Sequence, residues 1–217
     1  MLADRVLFLD GEALVIDKPA GLPVDPPRRG GISLENHLDS LTFGFHRWPM
    51  AVHRLDQDTS GCLLLSRNPK AHARLQQAFE ANKVEKRYLA VLEGVPSGEE
   101  GMIDLPLAKV STREEGWRMT GAPDGKPART AWRVLRSEGG RTLVEFRPAT
   151  GRTHQIRVHA LEGLGIAVVG DPVYGRADKA GMLLHAAELI VPREGKAAIE
   201  ARAPIPDRFV AAGFGHE

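Results

Sequence analysis

The sequence predicts an α+β fold with a mixed, mainly antiparallel central sheet flanked by helices and loops. Three observations carry this. Short apolar runs recur along all 217 residues, separated by glycine- and proline-rich turns. Only three or so segments have helical composition. Strands and helices do not alternate regularly, as a parallel βαβ sheet would require.

The elements follow in order. Arg5–Asp10 and Ala13–Asp17 are apolar runs joined through Asp10-Gly11, a strong hairpin signal. Lys18 to Gly31 is a breaker-rich loop containing four prolines and the adjacent pair Arg28-Arg29. Ser33 can cap a short helix to about Leu41. Cys62–Leu65 is an apolar strand. Asn68 suits a helix cap and Pro69 the first helical position, which predicts a helix to about Asn82. Val84–Glu93 is apolar on both faces and should lie inside the sheet, not at its edge. Residues 94–128, rich in glycine, proline and charge, predict loops around a short strand near Met102–Leu105. Thr130–Ser137 and Thr142–Arg147 predict two strands around Glu138-Gly139-Gly140. Thr153–Leu164 has helical composition and Gly165 is a natural stop. Short strands are expected near Ile166–Val169, Met182–His185 and Ala197–Ala201. No composition break divides the chain, so residues 1–217 read as one domain.

The totals exclude several classes. A hydrophobic fraction of 42% and a charged fraction of 26% are those of an ordinary globular protein. The single cysteine, Cys62, excludes an internal disulfide and a cysteine-rich zinc site, and its apolar neighbours predict an inert buried thiol. Acidic residues follow Met1 too closely for a secretory signal, and no run of 18 apolar residues predicts a membrane span. The expected compartment is the cytoplasm, without membrane partners. Net charge is only +1, but residues 101–160 hold eleven basic and six acidic side chains. That local excess is compatible with phosphate binding, and equally with a solvated arginine-bearing sheet face.

Three segments could carry chemistry. In His53-Arg54-Leu55-Asp56-Gln57-Asp58-Thr59-Ser60-Gly61 a carboxylate sits among turn-forming residues, the ordinary composition of a capped loop. Asp56, Asp58, Ser60 and Gly61 also match the first positions of a calcium loop. The twelfth position is Arg67 where a glutamate is required, so that reading fails. In Lys86-Arg87-Tyr88-Leu89-Ala90 the tyrosine alone would read as core filler. In Gly151-Arg152-Thr153-His154-Gln155-Ile156-Arg157-Val158-His159, Arg157 falls on a partly apolar face and needs a carboxylate. The two histidines lack the HExxH spacing of a zinc site. Walker, dinucleotide-binding and nucleophile-elbow templates are missing, which disfavours nucleotide hydrolysis, redox chemistry and esterase activity.

Taken together and in this order, these segments resemble the RluA family of pseudouridine synthases. The match extends to Asp17-Lys18-Pro19-Ala20-Gly21, to Gly170-Asp171-Pro172-Val173-Tyr174-Gly175 and to Leu184-His185-Ala186, covering about residues 5 to 210. The resemblance implies the pseudouridine synthase fold and an isomerase that converts specific uridines in structured RNA, a ribosomal or transfer RNA stem-loop. It implies no cofactor, no metal and no obligate protein partner. Asp56 corresponds to the catalytic aspartate, Tyr88 to the active-site tyrosine, and Arg157 to the arginine paired with the aspartate. Arg54 matches the arginine that helps displace the target base. His53, Thr59, Arg152, His154 and Gln155, in the same motifs, are expected to contact RNA. Ser111–Arg129, with Trp117, is a further candidate contact. The pattern starts within ten residues of Met1, which implies the short form without the S4 RNA-binding domain of many relatives. Two rivals stay open: an inactive RNA-binding or chaperone protein on the same scaffold, and a metal-dependent hydrolase using Asp56, Asp58 and the histidines.

Overall fold

The computed structural model describes residues 1–27, 30–112 and 116–216. A 3₁₀ turn (Leu2–Arg5) leads into β1 (Val6–Leu9), which returns as β2 (Ala13–Lys18). The Asp10 carboxylate shapes that hairpin, Oδ1 accepting from the backbone N–H of Glu12 and Ala13 at 2.8 and 2.9 Å. A second 3₁₀ helix spans Leu34–Leu41, and Ser33 N–H donates to Asn36 Oδ1 at its start. Then come β3 (Met50–Ala51), β4 (Ser60–Ser66), α1 (Pro69–Glu80) and β5 (Glu85–Leu92). Asn68 caps α1 as predicted, its Oδ1 accepting from Ala71 N–H at 2.9 Å. The chain continues through β6 (Glu100–Asp104), β7 (Leu107–Thr112), β8 (Gly116–Gly121), β9 (Arg129–Glu138) and β10 (Arg141–Pro148). Next are α2 (Gln155–Val158), prolonged by a wider π turn at His159–Gly163, then β11 (Leu184–Arg193), β12 (Lys196–Arg202) and α3 (Asp207–Ala211). Among the described residues no helix is long and apolar enough to cross a membrane.

The chain forms two compact units. One comprises Met1–Lys86 with Ala186–Pro204. Its strands run β1-β2-β4, with β4 next to β11; β3 pairs with β4 and β12 with β11. The pairs β1/β2, β2/β4, β3/β4 and β11/β12 are antiparallel. The core beneath α1 holds Val15, Leu64, Leu75, Leu189 and Ile199. Cys62 belongs to it, and burial, with the nearby Asp17 carboxylate, pushes its thiol up to about 12. At neutral pH that thiol stays protonated and inert.

The other unit comprises Arg87–His185 with Ile205–Glu217. Here β5-β10-β9-β6 form an antiparallel run. On the other side of β5, Val91 N–H donates to Leu183 O and Val169 N–H donates to Val91 O. So β5 is interior, as its two apolar faces predict. Ala90, Leu92, Val144, Phe146 and Ile156 form the core between sheet and helix.

Five features differ from expectation. The strand expected near Ile166–Val169 is not formed, since Val168 makes only an isolated bridge to Leu92. Residues 107–112 and 116–121, expected as loop, pair antiparallel as β7 and β8. The exposed positions Lys109, Ser111 and Thr112 hide any alternation, and the pair is held from outside by a small cluster of Leu107, Val158 and Tyr174 with Met119 against it. β11 runs on to Arg193, well past the expected His185. α2 starts two residues late, because His154 takes a left-handed conformation (φ 54) that no helix interior accepts. α3, five residues long, is too short to show a period.

Candidate active site

The Asp56 loop is fixed at both ends. Before it, Val52 N–H donates to Leu64 O at 3.0 Å and Leu64 N–H donates to His53 Nε2 at 3.0 Å, tying the segment to β4. The His53 ring stacks on Phe79 with centroids 4.6 Å apart. Desolvation, reinforced by the Lys86 charge, takes its pKa down to about 3, so the ring is neutral. Because Nε2 accepts, the proton sits on Nδ1. Leu55 is buried, whereas Arg54 is exposed and pairs with Asp25 Oδ2 at 2.6 Å.

Asp56 itself is half-buried and opens a tight turn, its carbonyl accepting from Thr59 N–H at 3.1 Å. The next carbonyl, of Gln57, accepts from Gly21 N–H at 2.9 Å and from Lys18 Nζ at 3.0 Å. Lys18 is wholly buried and also donates to Pro19 O and Leu22 O at 2.9 Å each. One ammonium therefore pins the 18–22 loop to the residue after Asp56. Thr59 and Ser60 are buried beyond the turn. Gly61 follows at φ 108, where a Cβ would lie 2.7 Å from the Ala186 carbonyl carbon, so only glycine fits. Arg67 is buried, with its guanidinium donating to the carbonyls of Asp10, Thr42 and Phe43.

In the other unit, Tyr88 stands opposite Phe146 on β5, half-buried against the core of sheet and helix. Arg157 lies on α2, 4% exposed. Sequence analysis expects a carboxylate for it and takes Asp56. The carboxylate that holds its Nε and Nη2 is Asp171, wholly buried: Nε donates to Oδ2 at 2.7 Å and Nη2 to Oδ1 at 2.8 Å. Oδ1 also accepts from the N–H groups of Val173 and Tyr174. Burial alone would raise the Asp171 pKa, but the Arg157 guanidinium and the two amides outweigh it and hold the carboxyl below its ordinary range. The Tyr174 ring covers the guanidinium, its centroid 5.0 Å from Cζ.

Tyr174 links this fork to the β7–β8 hairpin. Its hydroxyl accepts from Met119 N–H at 2.9 Å and lies 2.8 Å from His154 Nδ1, and the His154 ring stacks on Trp117. Gln155 is buried and committed to the protein. Its Nε2 donates to Arg129 O and Thr130 Oγ1, and its Oε1 accepts from Thr150 Oγ1 and Arg152 N–H. Arg152 is exposed, with Nε donating to Pro127 O. Of the nine residues expected at the site, His53, Arg54, Asp56 and Thr59 thus share one loop of the first unit. Arg152, His154, Gln155 and Arg157 share the start of α2 in the second, and Tyr88 stands on β5. Sequence reasoning missed Asp171, Tyr174 and Lys18 as working residues. The available signals were an aspartate followed by Pro-Val-Tyr-Gly and a lysine closing the mostly apolar run Ala13–Lys18.

Comparison with known proteins first gives the class. Two human structures, RNA pseudouridylate synthase domain containing 4 and domain containing 1, match with TM-scores of 0.80 and 0.78. They are 26% and 28% identical, and the match covers 96% of this chain in both cases and 91% and 85% of theirs. The fold is therefore that of pseudouridine synthases. The RNA pseudouridylate synthase family matches residues 12–162, and the chain belongs to that family, in its RluA type. An uncharacterized RNA pseudouridine synthase of Zymomonas mobilis is 57% identical over 217 residues, 99% of each chain. Ribosomal large subunit pseudouridine synthase D of the same organism is 36% identical, over 88% of this chain and 66% of that protein. The protein is an isomerase acting on RNA.

Proposed function

We propose that Asp56 is the nucleophile of uridine isomerisation, with Tyr88 and Arg157 completing the catalytic set. The observation that carries this is the Asp56 turn. A half-buried carboxylate is held on a loop clamped by Lys18 on one side and β4 on the other. A carboxylate can add to carbon and leave again, which a detach-and-rejoin reaction requires. The N1–C1′ bond of uridine breaks, uracil turns, and C5–C1′ forms, with the C5 proton lost and N1 protonated. Electrons and atoms balance within the substrate, so the reaction needs no cofactor. Tyr88 packs against the base and assists proton transfer at C5. A uracil within a stem or loop must first leave its stack, at a cost of a few kcal/mol, and Arg54 takes the vacated space.

The substrate we propose is structured RNA of the ribosomal large subunit, a reading supported by the relative named for that RNA. Arg152 and His154 at the start of α2, with the Lys109 and Trp117 side chains of the hairpin, would meet its backbone. A protein whose one cysteine is a buried thiol fits the cytoplasm. The test is tritium release from RNA carrying 5-tritiated uridine. Asp56→Asn abolishes release while the thermal midpoint stays at the wild-type value, and excess chelator leaves wild-type release unchanged. Near-normal release by the variant would overturn the nucleophile assignment.

A further inference from the structure

Between the 3₁₀ helix at Leu34–Leu41 and β3 lies an exposed loop, Thr42–Pro49, that the catalytic set does not use. Phe43, Phe45 and Trp48 are 39%, 39% and 60% exposed, and His46 and Arg47 between them are exposed too. From Ser40 to Leu55 the chain contains no aspartate or glutamate, and Arg47 stands between Phe45 and Trp48. Three solvated aromatic rings in six residues are not solubility-neutral, and such patches mark contact surfaces.

The backbone is built to present them. Phe43 has φ 46 and Gly44 φ 83, and Phe45 N–H donates to Thr42 O at 3.1 Å. Both central residues of this turn are left-handed, as in type I′ turns, where glycine and asparagine sit without strain and phenylalanine does not. Arg67 secures the turn from below. Its Nη2 donates to Thr42 O and Phe43 O at 2.8 and 3.0 Å, and its Cζ lies 3.7 Å from the Phe45 ring centroid. One face of Phe45 thus rests on a buried cation while the ring stays open to water. A ring already immobilised loses little entropy when a planar partner stacks on it.

We propose that Phe43, Phe45 and Trp48 form a stacking platform for unpaired nucleotides of the RNA substrate, with Arg47 meeting their phosphates. The inference deepens the reading of the protein as an enzyme of structured RNA and rests on it. Aromatic rings interleaved with a cation, in a loop without carboxylates, are the chemistry of single-stranded RNA sites, since every base has a π face and every linkage a charge. The path of the chain also suits a substrate-side role. From Trp48 it passes through β3, paired to β4, and reaches Asp56 eight residues on. At roughly 3.3–3.6 Å per residue the two positions are separated by no more than a few nucleotides' reach.

The test uses the full chain with two fluorescein-labelled probes, a single-stranded oligouridine and a blunt RNA duplex, read by anisotropy. Phe43→Asn removes a ring from a position that favours asparagine, so the fold is not put at risk, and Trp48→Ala removes a second from the surface. The double variant is expected to bind oligouridine about tenfold more weakly, with duplex affinity held within about twofold and no fall in thermal midpoint. Unchanged oligouridine affinity overturns the platform. Equal weakening for both probes overturns it too, because it would report charge rather than stacking. A change of oligomeric state in light scattering with oligouridine affinity intact assigns the patch to a second copy of the chain, and again overturns it. Tritium release by wild type and Asp56→Asn, run in parallel, tests the catalytic reading separately: an active Asp56→Asn defeats that reading without moving the oligouridine result.

Discussion

Replacing Asp171 by asparagine keeps the volume of the side chain and removes the charge around which Arg157 is folded. The carboxylate is wholly buried, the guanidinium is 4% exposed, and two charge-assisted bonds of 2.7 and 2.8 Å join them. Removing one partner of a buried pair costs about 3–5 kcal/mol. Asparagine keeps an oxygen for the Val173 and Tyr174 amides and for Nη2, but turns an NH2 group toward Nε. The loss should therefore sit at the lower end, about 3 kcal/mol. For a chain of this size 1 kcal/mol moves the thermal midpoint by roughly 2–4 °C, which gives a fall of about 6–12 °C. Circular dichroism melts at pH 7 read it directly. The pH dependence adds a second check. The folded Asp171 pKa lies below its unfolded value, so its contribution is complete above about pH 4 and is lost as pH falls through the lower folded value. The gap between wild type and variant must narrow in that acid range. A midpoint within about 1 °C of wild type at pH 7, or a gap that persists undiminished at pH 3, would refute the reasoning.

Two further outcomes follow from the Asp56 loop. His53 is neutral in the fold with a pKa of about 3, so between pH 6.5 and 3 the unfolded chain binds the extra proton. Wild-type stability must fall on acidification through that window, by up to about 1.4 kcal/mol per pH unit, and His53→Gln should flatten the decline in urea titrations between pH 7 and 4.5. Gly61→Ala places a methyl against the Ala186 carbonyl at a φ of 108, so about 3 kcal/mol or more is lost and the thermal midpoint drops accordingly. A Gly61→Ala protein that melts like wild type would mean that β4 can move away from Ala186.

What the sequence made legible was local. Asp10-Gly11, Asn68-Pro69 and Glu138-Gly139-Gly140 each declare a turn or cap through their own side chains, and each element they bound is present. The β7–β8 hairpin is silent for the opposite reason. Its stability comes from Tyr174 and Val158, which lie far along the chain, and no window over residues 107–121 contains them. The same division holds at the site. An arginine on an apolar face announces that a carboxylate exists. Nothing in the residues around Arg157 says that Asp171 supplies two of its bonds, because the pairing is set by the fold. Asp171 carries a local signal of its own, since Oδ1 caps the N–H groups two and three residues on. That signal reads as a turn, and the second job of the same carboxylate is invisible until the fold closes.

The loops of this protein are held by cations in a way that explains how irregular chain can carry precise chemistry. A loop leaves backbone carbonyls without ladder partners, and a carbonyl buried without a donor is costly. An ammonium or guanidinium offers several donors from one side chain. Lys18 donates to three carbonyls from two segments, Arg67 to three from two segments, and Arg208 to those of Met182 and Leu184. Each closes what would otherwise be separate flexible strands of chain into one rigid piece. Two of these pieces carry the functional proposals: Lys18 locks the turn of Asp56, and Arg67 locks the turn that displays Phe43 and Phe45. A neutral side chain of equal length could fill the same space but could not satisfy three acceptors at once. The positive charge is therefore retained in the interior for the number and direction of its donors, and the Asp56 loop inherits its rigidity from them.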